Sequence, residues 1–119
     1  MKRYCLVLEI KKEHVQEYVE VHKSVHKTHW RTQLDALREA GAHSCEVYMY
    51  KNLAIIFYEC EDIDESFAKL GAIEDNIKWQ ENQAPWIAET LSSGGSEGVP
   101  TVEKIFDLNQ QLAGKLNQF

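Results

Sequence analysis

Two apolar runs, Ser44–Tyr50 and Leu53–Cys60, stand only two residues apart, and that spacing leaves a β-hairpin closed at Lys51-Asn52 as the simplest structure. Both runs are rich in Val, Ile, Phe and Tyr, residues that fit a pleated, half-buried surface. With Tyr50 opposite Leu53, Glu46, Tyr48, Ile55 and Phe57 share one face, and Cys45, Val47, Ile56 and Tyr58 share the other. Both faces are largely apolar, so each needs a cover. The helices of one small chain usually supply only one, and the expectation is that a second copy of the chain, or a ligand, supplies the other.

The remaining segments are read around this hairpin. Residues 3–10 place Tyr4, Leu6, Leu8 and Ile10 on one side, the period-2 pattern of a strand. Between residues 13 and 40, Val15, Val19, Trp30, Leu34 and Leu37 fall at helical spacing, and Gly41 stands where a left-handed cap would end one long helix or two in line. Asp62 followed by Glu65 resembles a capping box that opens a helix through Ser66, Phe67 and Leu70. A further helix starts near Glu74 and should end or kink at Pro85. Residues 92–100, SSGGSEGVP, read as a loop or flap leading into a last strand over 101–108. The order β, α, β, β, α, β predicts an α+β, ferredoxin-like domain with an antiparallel sheet over residues 1–108, followed by a short helical tail over 109–119.

At 119 residues the chain is the size of one domain with its own core. Its 19 acidic residues outnumber 13 Lys and Arg, giving a net charge of -6 that would repel phosphate backbones and anionic lipid. Neither nucleic acid nor a membrane is an expected partner. The apolar stretch after Met1 is interrupted at Glu9, too short for a signal-peptide core, and Cys5, Cys45 and Cys60 form no Cys-x-x-Cys pair. Reduced thiols and a cytoplasmic location are expected.

The chemistry concentrates on the first helical segment. Tyr18 and His22 are four residues apart and share a helix face, with His26 one turn on, His29 close beside it and His14 one turn back. Imidazole and phenol form a workable acid/base couple, since histidine titrates near neutral pH and tyrosine can donate or accept a hydrogen bond. Two other readings stay open: half-exposed histidines leaning on the sheet, or a metal shared by His22, His26 and His29. The sequence offers no carboxylate or thiolate at a fixed spacing to complete such a site. Trp30 reads as core, whereas Trp79, between Lys78 and Gln80-Glu81-Asn82-Gln83, reads as the wall of a wet pocket. Glu46 and Glu103 read either as cleft acids or as solvated edge residues.

Arg3-Tyr4-Cys5-Leu6-Val7-Leu8, Glu17-Tyr18-x-x-x-His22, Trp30, Gly41-Ala42-His43, Val47-Tyr48 and Val102-Glu103-Lys104-Ile105-Phe106, in this order and spacing, resemble the L-rhamnose mutarotase family and its L-fucose-type relatives over residues 3–108. The resemblance implies a homodimeric α+β barrel that interconverts the α and β anomers of a 6-deoxy sugar with no metal or organic cofactor. It also implies that His22 is the proton donor and that Tyr18 holds the sugar. The chain departs from the family pattern in two ways. The segment from His22 to Trp30 is about one helical turn longer, so alignment from the N-terminal side selects His22 and alignment back from Trp30 selects His26. His22 alone keeps Tyr18 at the family's spacing. Cys45 replaces a sugar-binding tyrosine, and Lys78-Trp79 replaces a tryptophan pair, so the resemblance places Cys45, Lys78, Trp79 and His26 around a re-shaped sugar pocket. The alternative reading is a cofactor-free oxygenase or ligand-binding protein of the wider dimeric α+β barrel group, which shares the fold.

Overall fold

The computed structural model describes residues 1–91 and 101–114. The flap expected over residues 92–100 and the end of the expected tail, 115–119, lie outside the described residues. Strand β1 (Lys2–Ile10) is followed by helices α1 (Val15–Lys23) and α2 (Thr32–Glu39), then by strands β2 (Ser44–Tyr50) and β3 (Leu53–Cys60). Helices α3 (Ile63–Gly71) and α4 (Glu74–Gln83) precede strand β4 (Ile87–Thr90), and a short α5 (Leu108–Leu112) is the last element among the described residues. The four strands form one antiparallel sheet in the order β2-β3-β1-β4. That is the split βαβ arrangement, in which the hairpin strand β3 lies between β1 and β2.

The hairpin closes with Tyr50 opposite Leu53, and Lys51 takes the left-handed backbone conformation (φ 55°) that its two-residue turn requires. Lysine is a poor choice for that conformation, and Asn52 supplies an anchor. Its Nδ2 donates to the Ile10 carbonyl at 3.0 Å and its carbonyl accepts from the Ile10 N–H at 2.8 Å, tying the turn to the end of β1. Gly41 ends α2 at φ 94°, where a side chain would be strained. Asp62 caps α3 by accepting from the Glu65 N–H at 3.0 Å, while the Glu65 side chain turns forward to Lys69.

One face of the sheet carries the core. Leu6, Ile10, Ala54, Tyr58 and Cys60 are buried there, packed against Val15 and Tyr18 of α1, Leu37 of α2, and Ile63 and Phe67 of α3. Ser66 Oγ donates to the Ala40 carbonyl at 2.7 Å, so the Tyr58 hydroxyl, 2.6 Å from Ser66 Oγ, is the donor in that contact. The opposite face holds Cys5, Ile55 and Phe57 with Tyr48 and Tyr50, and the two tyrosines are 54% and 60% exposed. Arg3 lies 4.9 Å above the Phe57 ring and pairs with Glu46 at 2.9 Å on this open face. Glu46 is thus a surface ion-pair residue on the face opposite the core.

Of the one long helix or two in line expected over residues 13–40, two form, α1 and α2, separated by single turns at Val25–Lys27 and His29–Arg31. Ser24 Oγ bonds back to the Glu20 carbonyl at 2.8 Å, and Thr28, in extended conformation, caps the Trp30 N–H at 3.2 Å. These hydroxyls compete with the helical backbone pattern and divide it. One expectation is corrected: among the described residues the last strand is Ile87–Thr90, with a register shift between Glu9 and Ile10 of β1, and not residues 101–108. Val102 N–H donates to the Cys5 carbonyl of β1 at 2.7 Å, while Ile105 and Phe106 stay exposed. Among the described residues, no helix is long and apolar enough to cross a membrane.

Candidate active site

A cavity of about 390 Å³ opens between the core face of the sheet and the helices, within the roughly 300–1,000 Å³ common for small-molecule sites. Leu8, Val47 and Ile56 form its apolar floor, with Cys45 at the β2 side. Tyr18 and His22 enter from α1, and Trp79 from α4. An adjoining groove of about 320 Å³ shares Tyr18, His22, Lys23 and Val47 and leads out past Tyr48 and Met49.

Tyr18 and His22 meet because α1 holds them one turn apart, with ring centroids 4.2 Å from each other. His22 Nδ1 lies 2.7 Å from the Tyr18 carbonyl oxygen. A carbonyl can only accept, so Nδ1 carries the hydrogen and Nε2 is the lone-pair nitrogen of the neutral ring. Burial lowers the His22 pKa below its ordinary value, partly offset by the bond to the Tyr18 carbonyl. Near neutral pH the ring is therefore an uncharged base at Nε2. Tyr18 is buried, and burial, reinforced by the neighbouring Cys45 thiol, pushes its phenol up to about 12. It stays a protonated donor at every ordinary pH. The Cys45 thiol is itself raised to about 11, first by its apolar surroundings and then by nearby Glu46, so it is neutral and a poor nucleophile.

Trp79 is only 6% exposed and forms a wall of the cavity, edge-on to His22 at 5.2 Å and to Trp30 at 5.5 Å. Of the residues singled out from the sequence, Tyr18, His22, Cys45 and Trp79 come together on this cavity. Lys78 and His26 do not line it. Lys78 faces solvent 3.9 Å from Glu74, and His26 is exposed on the turn after Ser24. His14 pairs with Glu17 at 2.8 Å, and the exposed His29 stacks on Trp30 at 4.4 Å. The break at Ser24 divides the histidine stripe, and among the described residues no three His, Cys, Asp or Glu side chains cluster to hold a metal. Glu103 is exposed away from the cavity.

The sequence reading missed a set of buried amides, Gln33, Asn76 and Gln83, with the exposed Gln80 beside them. Asn76 Nδ2 donates to the Leu70 carbonyl at 3.0 Å, which leaves Asn76 Oδ1 to accept from Gln33 Nε2 at 2.9 Å and from Gln80 Nε2 at 3.4 Å. Their signal was available: Asn76, Trp79 and Gln83 recur at i, i+3 and i+7 on one face of α4. The face was hidden because it is polar.

These observations define a ferredoxin-like α+β domain with a small-molecule cleft, carrying an imidazole base and a phenol donor, on its helix-covered sheet face. Comparison supplies the family. The model of the L-rhamnose mutarotase family matches residues 3–108, and the chain belongs to that family of carbohydrate isomerases. Among solved structures it is similar to the L-rhamnose mutarotase from Formosa agariphila, with a TM-score of 0.62 and 17% identity, covering 90% of this chain and 98% of that one. It is also similar to tetracenomycin F2 cyclase from Streptomyces glaucescens, a type-II polyketide cyclase, with a TM-score of 0.55 and 12% identity, covering 90% of this chain and 96% of that one. At these identities the structural likeness shows the fold. A search of curated protein sequences gave no match.

Proposed function

We propose that the chain interconverts the α and β anomers of a 6-deoxy aldose of the L-rhamnose or L-fucose type, using His22 and Tyr18 as the proton-transfer pair. The observation that carries this reading is the fixed His22 tautomer, which leaves Nε2 a free base beside a phenol that stays protonated, on one cavity wall. In ring opening the roles that the resemblance implies are exchanged, because the neutral His22 has only a lone pair at Nε2: it takes the proton of the anomeric hydroxyl, and the O–H electron pair forms the C1=O1 bond. The C1–O5 bond breaks, and its electrons take the proton donated by Tyr18. Rotation about C1–C2 presents the other carbonyl face. Closure then runs both transfers backward, with the His22 imidazolium as proton donor and the Tyr18 phenolate recovering its proton. Both side chains end as they began. Trp79 offers an aromatic wall for the sugar's C–H surface, and Cys45 gives the pocket a small neutral lining group where a larger hydrogen-bonding side chain would change the fit.

Sugar preference is read by polarimetry on freshly dissolved α-L-rhamnose and α-L-fucose. Protein should speed the optical relaxation of at least one of them in proportion to its concentration. Relaxation of both at the buffer rate would refute the assignment.

We also propose a homodimer joined through the open sheet face. The support is the apolar surface of Tyr48, Tyr50, Ile55 and Phe57, which no helix of the same chain covers among the described residues. Sedimentation equilibrium should give twice the 13.8 kDa chain mass. A monomer at micromolar concentration would contradict the dimer and leave the catalytic reading standing.

A further inference from the structure

Two residues that line the cavity each carry a polar atom that the protein itself does not satisfy. Gln33 and Gln83 are 4% and 3% exposed, both line the His22 cavity, and Gln33 Oε1 and Gln83 Nε2 have no hydrogen-bond partner. For Gln33 the orientation follows from its neighbours. The Leu70 carbonyl can only accept, so Asn76 must present Nδ2 to it and Oδ1 to Gln33, and Gln33 must answer with Nε2. Its oxygen is the end left over. An unpaired buried amide group is destabilising, and two on the walls of one cavity are a persistent cost in the free chain. Neither belongs to the proton-transfer pair.

We infer that Gln33 Oε1 and Gln83 Nε2 are the polar recognition elements of the cavity, one accepting from and one donating to hydroxyl groups of the sugar. This rests on the sugar reading above and adds which chain atoms read the sugar's hydroxyl pattern. In the free chain the walls seal both atoms from solvent, so binding includes a modest turn of each amide toward the ligand. The Gln33–Asn76–Gln80 network restricts the Gln33 turn, and it makes that position selective for a donor hydroxyl. Substrate selection is then set by α2 and α4, while proton transfer is set by α1.

The test uses saturation-transfer-difference NMR titrations of L-rhamnose, L-fucose and their 2-, 3- and 4-deoxy analogues with the unmodified protein, Gln33→Met and Gln83→Met. Gln83→Met should weaken binding of the parent sugar by about 10- to 100-fold, and the analogue lacking the paired hydroxyl should bind the variant and the unmodified protein equally. Gln33→Met should behave the same way toward a different hydroxyl. If either variant fails to fold, the unmodified protein still decides the matter, because at least one deoxy analogue must bind about 10-fold or more weaker than its parent. Equal binding of all analogues, or a uniform loss across parent and analogues in both variants, overturns the inference. Sugar binding with this pattern but no anomer exchange overturns the mutarotase reading alone, and no sugar binding overturns both.

Discussion

His22→Asn is expected to lower protein-driven anomer exchange by about 10²- to 10⁴-fold, the usual contribution of a positioned acid/base group, while the sugar still binds. Asparagine is the informative replacement because its Nδ2 can take over the bond that His22 Nδ1 makes to the Tyr18 carbonyl, so the fold of α1 is kept and only Nε2 is lost. The unmodified protein should also show a one-sided pH profile. The base form of His22 is needed and its pKa is lowered, so activity holds through neutral pH and falls only below 6.5, as the ring takes a proton. On the alkaline side the rate stays level to about pH 10, because Tyr18 keeps its proton up to about 12. Exchange kinetics from pH 4.5 to 10 check both points. Full activity in His22→Asn, or a rate that rises as the pH drops below 6, would remove His22 from the proposed role.

Trp79→Ala is expected to cost about 3–5 kcal/mol of stability, the range for deleting a buried large aromatic. Trp79 is a wall shared by the core and the cavity, with Trp30 on one side and His22 on the other. Its removal merges the cavity with the space under α4, and the neighbouring rings lose their edge contacts. For a domain of this size the loss corresponds to a fall in melting temperature of about 10–25 °C, readable by circular dichroism. Trp79→Phe should recover much of it. A melting temperature within 3 °C of the unmodified protein would show that Trp79 is not part of the packed core.

The hairpin, its register and the caps at Gly41 and Asp62 were legible in the sequence because each depends on residues next to one another. Tyr50 had to face Leu53 once two residues separated the runs, and glycine was the residue suited to a left-handed helix end. The family, too, was legible, since its motifs are spread in order over residues 3–108. Whether the first helical stretch is one helix or two in line was left open, because Ser24 and Thr28 sit within a good apolar repeat and act through side-chain bonds to the backbone. Strand β4 was missed for the opposite reason. Ile87–Thr90 is four residues long and lacks a repeat to detect, whereas residues 101–108 carry Val102, Ile105 and Phe106 in a strand-like run yet take no strand conformation and leave Ile105 and Phe106 exposed.

Within the site, Tyr18 and His22 could be paired from spacing alone, while the amides of α2 and α4 could not. Polar residues in a run such as Gln80-Glu81-Asn82-Gln83 are normally a solvated face. Here Asn76 and Gln83 are buried with Trp79, Asn76 bonded to Gln33 and to the Leu70 carbonyl and Gln83 lining the cavity. His26 and Lys78 were placed near the sugar by matching the family pattern, and the chain instead turns both to solvent, His26 because the helix ends at Ser24.

The central claim, that this cavity opens and closes a sugar ring, is tested most directly by saturation-transfer NMR between the two anomeric proton resonances of L-rhamnose and of L-fucose at equilibrium. Irradiating one anomer in the presence of the protein should diminish the signal of the other for at least one sugar, in proportion to protein concentration and not with His22→Asn. Unchanged anomeric signals for both sugars at saturating concentration would contradict it.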